Sequence, residues 1–176
     1  MKKIITIGAS TSKKSINKIL AEYTGGLLTD INLIKVDLND YEMPLFSVDF
    51  ESEHGSPKGA IELNDIINEA DGFIISFAEH NGAYSSGFKN AFDWLSRING
   101  EVWRDKPVLL LATSPGARGG QTVLDIALGR FPFMGAKIIG NMSVPSFFDN
   151  FKDGEMINKE LKLSLNKLVE DFKQAI

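Results

Sequence analysis

Five short apolar runs, each followed by a segment of helical period, constrain this chain more than any other feature of its sequence. The runs are Ile4–Gly8, Asn32–Val36, Gly72–Phe77, Val108–Thr113 and Lys137–Gly140. Phe73-Ile74-Ile75-Ser76-Phe77 and Val108-Leu109-Leu110-Leu111-Ala112 are nearly continuous, without the alternation of a strand that has one wet face. Strands of that kind are buried on both sides, as in a parallel sheet covered by helices. Between the runs, apolar residues recur at i, i+3, i+4 and i+7, which places them on one helix face. Ile16, Ile19, Leu20, Tyr23 and Leu27 form one such set, and Leu63, Ile66, Ile67 and Ala70 a second. Phe88, Ala91, Phe92 and Leu95 follow, then Val123, Leu124, Ala127, Leu128 and Phe131, then Leu161, Leu165, Leu168 and Phe172. A βα unit repeated five times predicts an α/β fold with a five-stranded parallel sheet ordered 2-1-3-4-5 and helices on both faces. The 176 residues suit one domain spanning 1–176. The longest irregular stretch is Tyr41–Lys58, with Pro44, Gly55 and Pro57. A loop of that length in a compact domain is expected to be functional or part of an interface.

Composition narrows the function. Without cysteine there are no disulfides, no thiolate catalysis and no cysteine-ligated metal, and a reducing compartment fits. His54 and His80 are the only histidines, so no metal site is expected. The net charge of −4 argues against nucleic acid, which requires a basic surface. No segment approaches the ~20 apolar residues of a membrane helix. Met1-Lys2-Lys3 leads into an apolar run too short for a signal peptide. The expectation is a soluble, cytoplasmic protein with neither a membrane nor a nucleic-acid partner.

In an open α/β sheet, ligands bind beyond the carboxyl ends of the strands at the switch point. That singles out the loops after the first, third and fourth runs. The first loop, Gly8-Ala9-Ser10-Thr11-Ser12-Lys13-Lys14-Ser15-Ile16-Asn17, opens a helix whose free N–H groups and positive dipole end attract phosphate. Ser15 is the expected N-cap. Capping accounts for one hydroxyl, and Ser10, Thr11 and Ser12 add three more, with the Asn17 amide and the charges of Lys13 and Lys14 alongside. The loop approaches the pattern G-x-x-x-x-G-K-S/T through Gly8, Lys14 and Ser15. Lys13 replaces the second glycine and no acidic residue closes the fourth run, which disfavours a nucleotide triphosphatase. The second loop, Ala78-Glu79-His80-Asn81-Gly82-Ala83-Tyr84-Ser85-Ser86-Gly87, carries Asn-Gly, the mark of a tight turn. Its exposed amides suit the polar edge of a flat heteroaromatic ring. Glu79 beside His80 also suggests acid–base work, but no serine nucleophile elbow accompanies them, which disfavours hydrolysis. Phe92 and Trp94 read as packing residues. The third loop, Thr113-Ser114-Pro115-Gly116-Ala117-Arg118-Gly119-Gly120, has three glycines for close approach of backbone to ligand. Arg118 is placed to hold a phosphate of a nicotinamide cofactor or a ring carbonyl, with a solvated arginine as the alternative.

Together these residues resemble the NADPH-dependent FMN reductase family, which includes azoreductases and quinone or chromate reductases. The likeness covers almost the whole chain. Glu79-His80-Asn81-Gly82-Ala83 with Leu95 and the intervening Phe88-Lys89-Asn90-Ala91-Phe92-Asp93-Trp94 is similar to the family's P-E-Y-N-G-S-x-x-x-x-L-K-N-x-x-D-W signature. Gly8-Ala9-Ser10-Thr11-Ser12, Ser15 and Asn17 resemble its phosphate loop, and Pro44-Leu45-Phe46 its P-L-Y/F segment. Ala78 stands where the family has Pro, His80 where it often has Tyr, and Ala83 where it has Ser. The resemblance implies a flavodoxin-like three-layer sandwich holding FMN. NADPH or NADH would be the electron donor, and a quinone, flavin, azo compound or metal oxyanion the acceptor. It implies that Ser10, Ser12, Ser15 and Asn17, with Thr11 and Ile16, hold the FMN phosphate. Glu79, His80, Asn81 and Gly82, with Ala83, would cover one side or edge of the isoalloxazine. Ser114, Pro115, Gly116, Arg118 and Gly119 would form the other boundary. No side chain would be catalytic, because the flavin carries the chemistry. Phe46 and Tyr84 are candidates to flank the acceptor, with packing as the competing reading. A homodimer or homotetramer is expected. The alternatives are an FMN-binding electron carrier without nicotinamide activity, and a binding module that has lost the flavin.

Overall fold

The computed structural model describes residues 1–176. In chain order the elements are β1 (Lys2–Ala9), α1 (Ile16–Gly26), β2 (Ile31–Val36), α2 (Val48–His54), α3 (Lys58–Asn68), β3 (Gly72–Phe77), β4 (Glu79–His80), β5 (Ala83–Tyr84) and α4 (Ser86–Ile98). There follow β6 (Lys106–Thr113), α5 (Gln121–Arg130), β7 (Ala136–Val144), α6 (Phe147–Asn150), β8 (Phe151–Lys152), β9 (Glu155–Met156) and α7 (Lys159–Ala175). Five strands form one parallel sheet in the order β2-β1-β3-β6-β7. Counted over the five apolar runs this is the order 2-1-3-4-5. The pairs β4–β5 and β8–β9 are separate antiparallel hairpins.

The continuous runs are the three central strands. Ile5, Ile7, Phe73, Ile75, Val108 and Leu110 face the layer of α3, α4 and α5. Ile4, Ile74, Leu109 and Leu111 face the layer that holds Leu20 of α1 and Leu165, Val169 and Phe172 of α7. All six residues of β3 are buried, because helices cover both of its sides. The edge strand β7 extends past the fifth run to Val144. Asn141 and Ser143 interrupt the apolar signal there because only one face of an edge strand needs burying.

The irregular stretch Tyr41–Lys58 contains α2, which Ser47 caps by accepting from Phe50 N–H at 3.1 Å. The stretch is clamped to α4. The Pro44 carbonyl accepts from Asn90 Nδ2 at 3.0 Å and from Trp94 Nε1 at 2.8 Å. Asn90 Oδ1 accepts from Phe46 N–H at 2.8 Å. Trp94 is therefore a packing residue, fully buried with its one donor satisfied. No helix is long and apolar enough to cross a membrane, and no three His, Asp or Glu side chains cluster as metal ligands.

Lys18 of α1 is ion-paired with Asp37 at the end of β2. The Lys18 hydrogen bond, helped by Asn39 N–H, holds the Asp37 carboxyl below the usual carboxylate range. A depressed carboxyl contributes stability above its unfolded pKa of about 3.9 and loses it as pH falls through the folded value. Both side chains are partly solvated, so Asp37→Asn is expected to cost only about 0.5 kcal/mol at pH 7. The cost should vanish in acid. Urea unfolding at neutral and at acid pH checks this, and an equal cost at both would show that the charge contributes nothing.

Candidate functional site

The carboxyl ends of β1, β3 and β6 open onto one cavity. It has a volume of about 260 Å³ and is lined by Ser10, Ser12, Lys14, Ser15, Ile16 and Asn17 from the first loop, by Ala78, Glu79 and His80, by Thr113, Ser114 and Pro115, and by Phe148. A depression of about 510 Å³ adjoins it through the shared residues Ser10, Ser12 and His80, and adds Thr11, Asn81, Tyr84, Ser85, Ser86 and Lys89.

The first loop turns on its own hydroxyls. Ser10 Oγ accepts from Ser12 N–H at 3.1 Å, and Ser15 Oγ caps α1 by accepting from Lys18 N–H at 3.2 Å. These bonds leave the N–H groups of Ile16 and Asn17, and of Thr11, Lys13 and Lys14 before them, without an acceptor in the chain. No acidic residue lies in the first turn of α1. Its positive end is thus open to an anion from outside. The N-terminus of α5 is not: the Glu79 carboxylate accepts from Val123 N–H at 3.0 Å, and Gln121 N–H goes to the Arg118 carbonyl at 3.1 Å. A carboxylate already sits on the α5 end, whereas none sits on the α1 end.

Asn81 and Gly82 join β4 to β5 with φ of 51° and 74°. Two left-handed residues in a two-residue loop make the turn that matches strand twist, which is why Asn-Gly occurs here. Their amides also lack an acceptor in the chain. The third loop is tied to the segment after β7. The Ser114 carbonyl accepts from Phe147 N–H at 3.0 Å and the Gly116 carbonyl from Ser146 N–H at 2.9 Å. That tie brings Phe148, 61% exposed, to the rim of the cavity.

Residues 2–149 match the family model described as NADPH-dependent FMN reductase. The chain belongs to the NADPH-dependent FMN reductase family. Within and around that family, a 2-hydroxy-1,4-benzoquinone reductase of a Burkholderia species is 35% identical over 144 residues, covering 75% of this chain and 76% of that protein. A quinone reductase of Escherichia coli K12 is 33% identical over 121 residues, covering 66% of this chain. The match spans 62% of the E. coli protein's own length. The solved structure of FerB, a flavoenzyme NAD(P)H:(acceptor) oxidoreductase from Paracoccus denitrificans, superposes with a TM-score of 0.80 at 22% identity, covering 99% of this chain and 97% of FerB. At that identity it shows a shared fold.

For a member of the FMN reductase family, the placement of the expected residues is informative. Ser10, Ser12, Ser15, Ile16, Asn17, Glu79, His80, Ser114 and Pro115 line the cavity, and Thr11 and Asn81 its extension. Gly82, Ala83, Gly116, Arg118 and Gly119 line neither. Several side chains have tasks that the sequence does not reveal. Asn17 Oδ1 accepts from Ser76 Oγ at 2.7 Å and Thr113 N–H at 3.0 Å, and Nδ2 donates to the Thr113 carbonyl at 3.1 Å. Its side-chain amide is spent on locking β3 and β6, which leaves its backbone N–H for a ligand. One oxygen of the Glu79 carboxylate is spent on α5, while the residue also lines the cavity. Gly119 is buried with φ of 59°, and a β-carbon there would collide with Ser143 Oγ and lie 2.8 Å from Pro145 N. Backbone packing therefore accounts for that glycine. Arg118 reaches forward from the turn before α5 to donate to Thr122 Oγ1 at 2.7 Å. The Tyr84 ring sits among Phe77, Phe88 and Phe92, and burial pushes its phenol up to about 12. Tyr84 packs against the core and also lines the depression beside the cavity, while Phe46 stands edge-on to Trp94 at 5.0 Å. The sequence reading missed Thr113 and Phe148. Thr113 lies within an apolar run, and Phe148 follows the last run with no periodic signal.

Proposed function

We propose that this chain binds FMN and passes electrons from NADPH or NADH to a small acceptor of the quinone type. One observation carries the reading. Amides without acceptors, those of Ile16 and Asn17 at one end and that of Asn81 at the other, border two adjoining hollows that share Ser10, Ser12 and His80. The donor set fits FMN. A phosphate dianion suits the α1 end, with free amides, serine hydroxyls, Lys14 and no competing acid. The carbonyl and nitrogen edge of a flat ring suits the amides of the Asn81–Gly82 turn.

When bound, FMN supplies the hydride and electron chemistry. The chain supplies position and field. Ser10 and Ser15 hold the first loop in the shape that presents its amides. The amides of Asn81 and Gly82, fixed in advance by the turn, stabilise negative charge at a ring edge in the way an oxyanion hole does. No nucleophilic side chain is required. The similarity to the Escherichia coli quinone reductase and the Burkholderia 2-hydroxy-1,4-benzoquinone reductase supports a quinone acceptor. A homodimer or homotetramer belongs to this reading. Leu45 and Val48, 81% and 66% exposed beside the Pro44 clamp, are apolar surface for it to cover.

Titration of the purified protein with FMN and with riboflavin is the test. FMN is expected to bind at least about tenfold more tightly, because only FMN carries the phosphate (about 1.4 kcal/mol for tenfold). Equal affinities would sink the phosphate placement. The FMN-loaded protein is expected to oxidise NADPH or NADH when benzoquinone is added. Bound flavin with no such oxidation would leave an electron carrier.

A further inference from the structure

The β4–β5 hairpin has two residues in each strand. A hairpin that short does not hold its own shape in water, so its tip must be placed by other contacts. Glu79 and Tyr84 are directly paired across it, which puts their side chains on one face. Each side chain is an anchor. The Tyr84 ring is fixed in the aromatic core, with centroids 5.6 Å from Phe77 and 5.3 Å from Phe88. On the other strand, the Glu79 carboxylate takes the N–H of Val123, in the first turn of α5, at 3.0 Å. A carboxylate at a helix N-terminus gains from both the hydrogen bond and the dipole. The tip is close to the same turn: a β-carbon on Gly82 would lie 3.8 Å from Thr122 Cγ2. His80 and Ala83, the other cross-strand pair, are left exposed on the opposite face.

From this arrangement we propose that Glu79 is a positioning residue for the flavin. Its part is played through α5: by capping that helix it fixes the Asn81–Gly82 turn relative to the phosphate end of the cavity. The inference rests on the FMN reading above and assigns a role that the reading does not need. Two amides aimed at one ring edge lose their value if the turn carrying them swings, since alignment is what preorganised donors contribute.

The experiment compares Glu79→Ala and Glu79→Gln with the wild type by FMN titration, and by the midpoint potential of the FMN-saturated proteins. Thermal unfolding of each apoprotein is recorded alongside. Glu79→Gln keeps an oxygen acceptor for Val123 N–H, and Glu79→Ala removes it. The expected result is an FMN Kd about tenfold higher for Glu79→Ala, with a displaced midpoint potential. Glu79→Gln is expected to stay within about threefold of the wild type in Kd (about 0.65 kcal/mol by the same conversion). A Glu79→Ala protein with wild-type affinity and potential overturns the proposal, even if it melts earlier, because a merely structural cap would do only that. A Glu79→Gln protein as weak as Glu79→Ala also overturns it, because the hydrogen bond would not be what matters. Failure of the wild type to bind FMN is a separate outcome that overturns the FMN reading itself.

Discussion

An Asn17→Leu variant is expected to lose about 3 kcal/mol of unfolding free energy. Asn17 is 2% exposed and its side chain makes three hydrogen bonds, to Ser76 Oγ and to both backbone groups of Thr113. Leucine has the same number and branching of side-chain heavy atoms but bulkier methyl groups, so the change leaves no cavity. It strips partners from a hydroxyl and two backbone groups that are themselves buried. A buried polar group left unpaired costs roughly 1–3 kcal/mol. Some relief comes as Ser76 rotates, which is why the total is set near the lower bound for three groups. In a domain whose whole stability is of order 5–15 kcal/mol, the loss is large. For a chain of this size it corresponds to a fall in Tm of roughly 6–12 °C. Urea denaturation measures the first quantity and a thermal scan the second. FMN affinity should fall as well, because Asn17 joins the first turn of α1 to the end of β6. A loss below about 1 kcal/mol would show that water reaches this lock and replaces the side chain.

Gly8→Ala is the second large effect. Here the obstacle is backbone. A β-carbon on Gly8 would collide with Lys18 Cα and lie 2.6 Å from Lys18 N. The contact is between β1 and the first turns of α1, and no rotamer relieves it. The helix must move off the strand, at a cost of about 3 kcal/mol, the upper range for overpacking. Its N-terminus moves with it, so phosphate binding should weaken by more than stability alone explains. Gly26→Ala, in the same helix with nothing within 4 Å of the new carbon, is the control. It should be neutral or stabilising by up to about 1 kcal/mol, since alanine is the better helix former. The two apoproteins compared by urea unfolding, then by FMN titration, decide the matter. A Gly8→Ala protein as stable as the wild type would mean that α1 is not seated on β1 as described.

Much of the architecture was legible from the chain. Phe73–Phe77 and Val108–Ala112 read as strands buried on both sides, and they are β3 and β6. Phe88, Ala91, Phe92 and Leu95 read as one helix face, and all four are buried in α4. Ser15 read as an N-cap and is one. Asn81-Gly82 read as a tight turn and is the tip of a hairpin. These signals are local: a run, a period, a cap or a turn lies within a few residues, and so does its cause. The α2 helix was hidden because it is short and buries no residue, so it carries no apolar stripe.

The chain alone thus specifies the five core strands, the helices that carry an apolar stripe, and the end of the sheet at which the loops gather. Burial on two faces and a period of 3.6 leave few other folds for such a chain. Only the tertiary structure decided which polar groups in those loops remain free. Asn17 finds its partners 59 and 96 residues away, and Glu79 finds its partner 44 residues away. Whether a side chain is spent on the fold or left for a ligand depends on which strands and helices come to lie beside it. No local pattern encodes that for Asn17 and Glu79, because their partners are distant in the chain and meet them only in the fold.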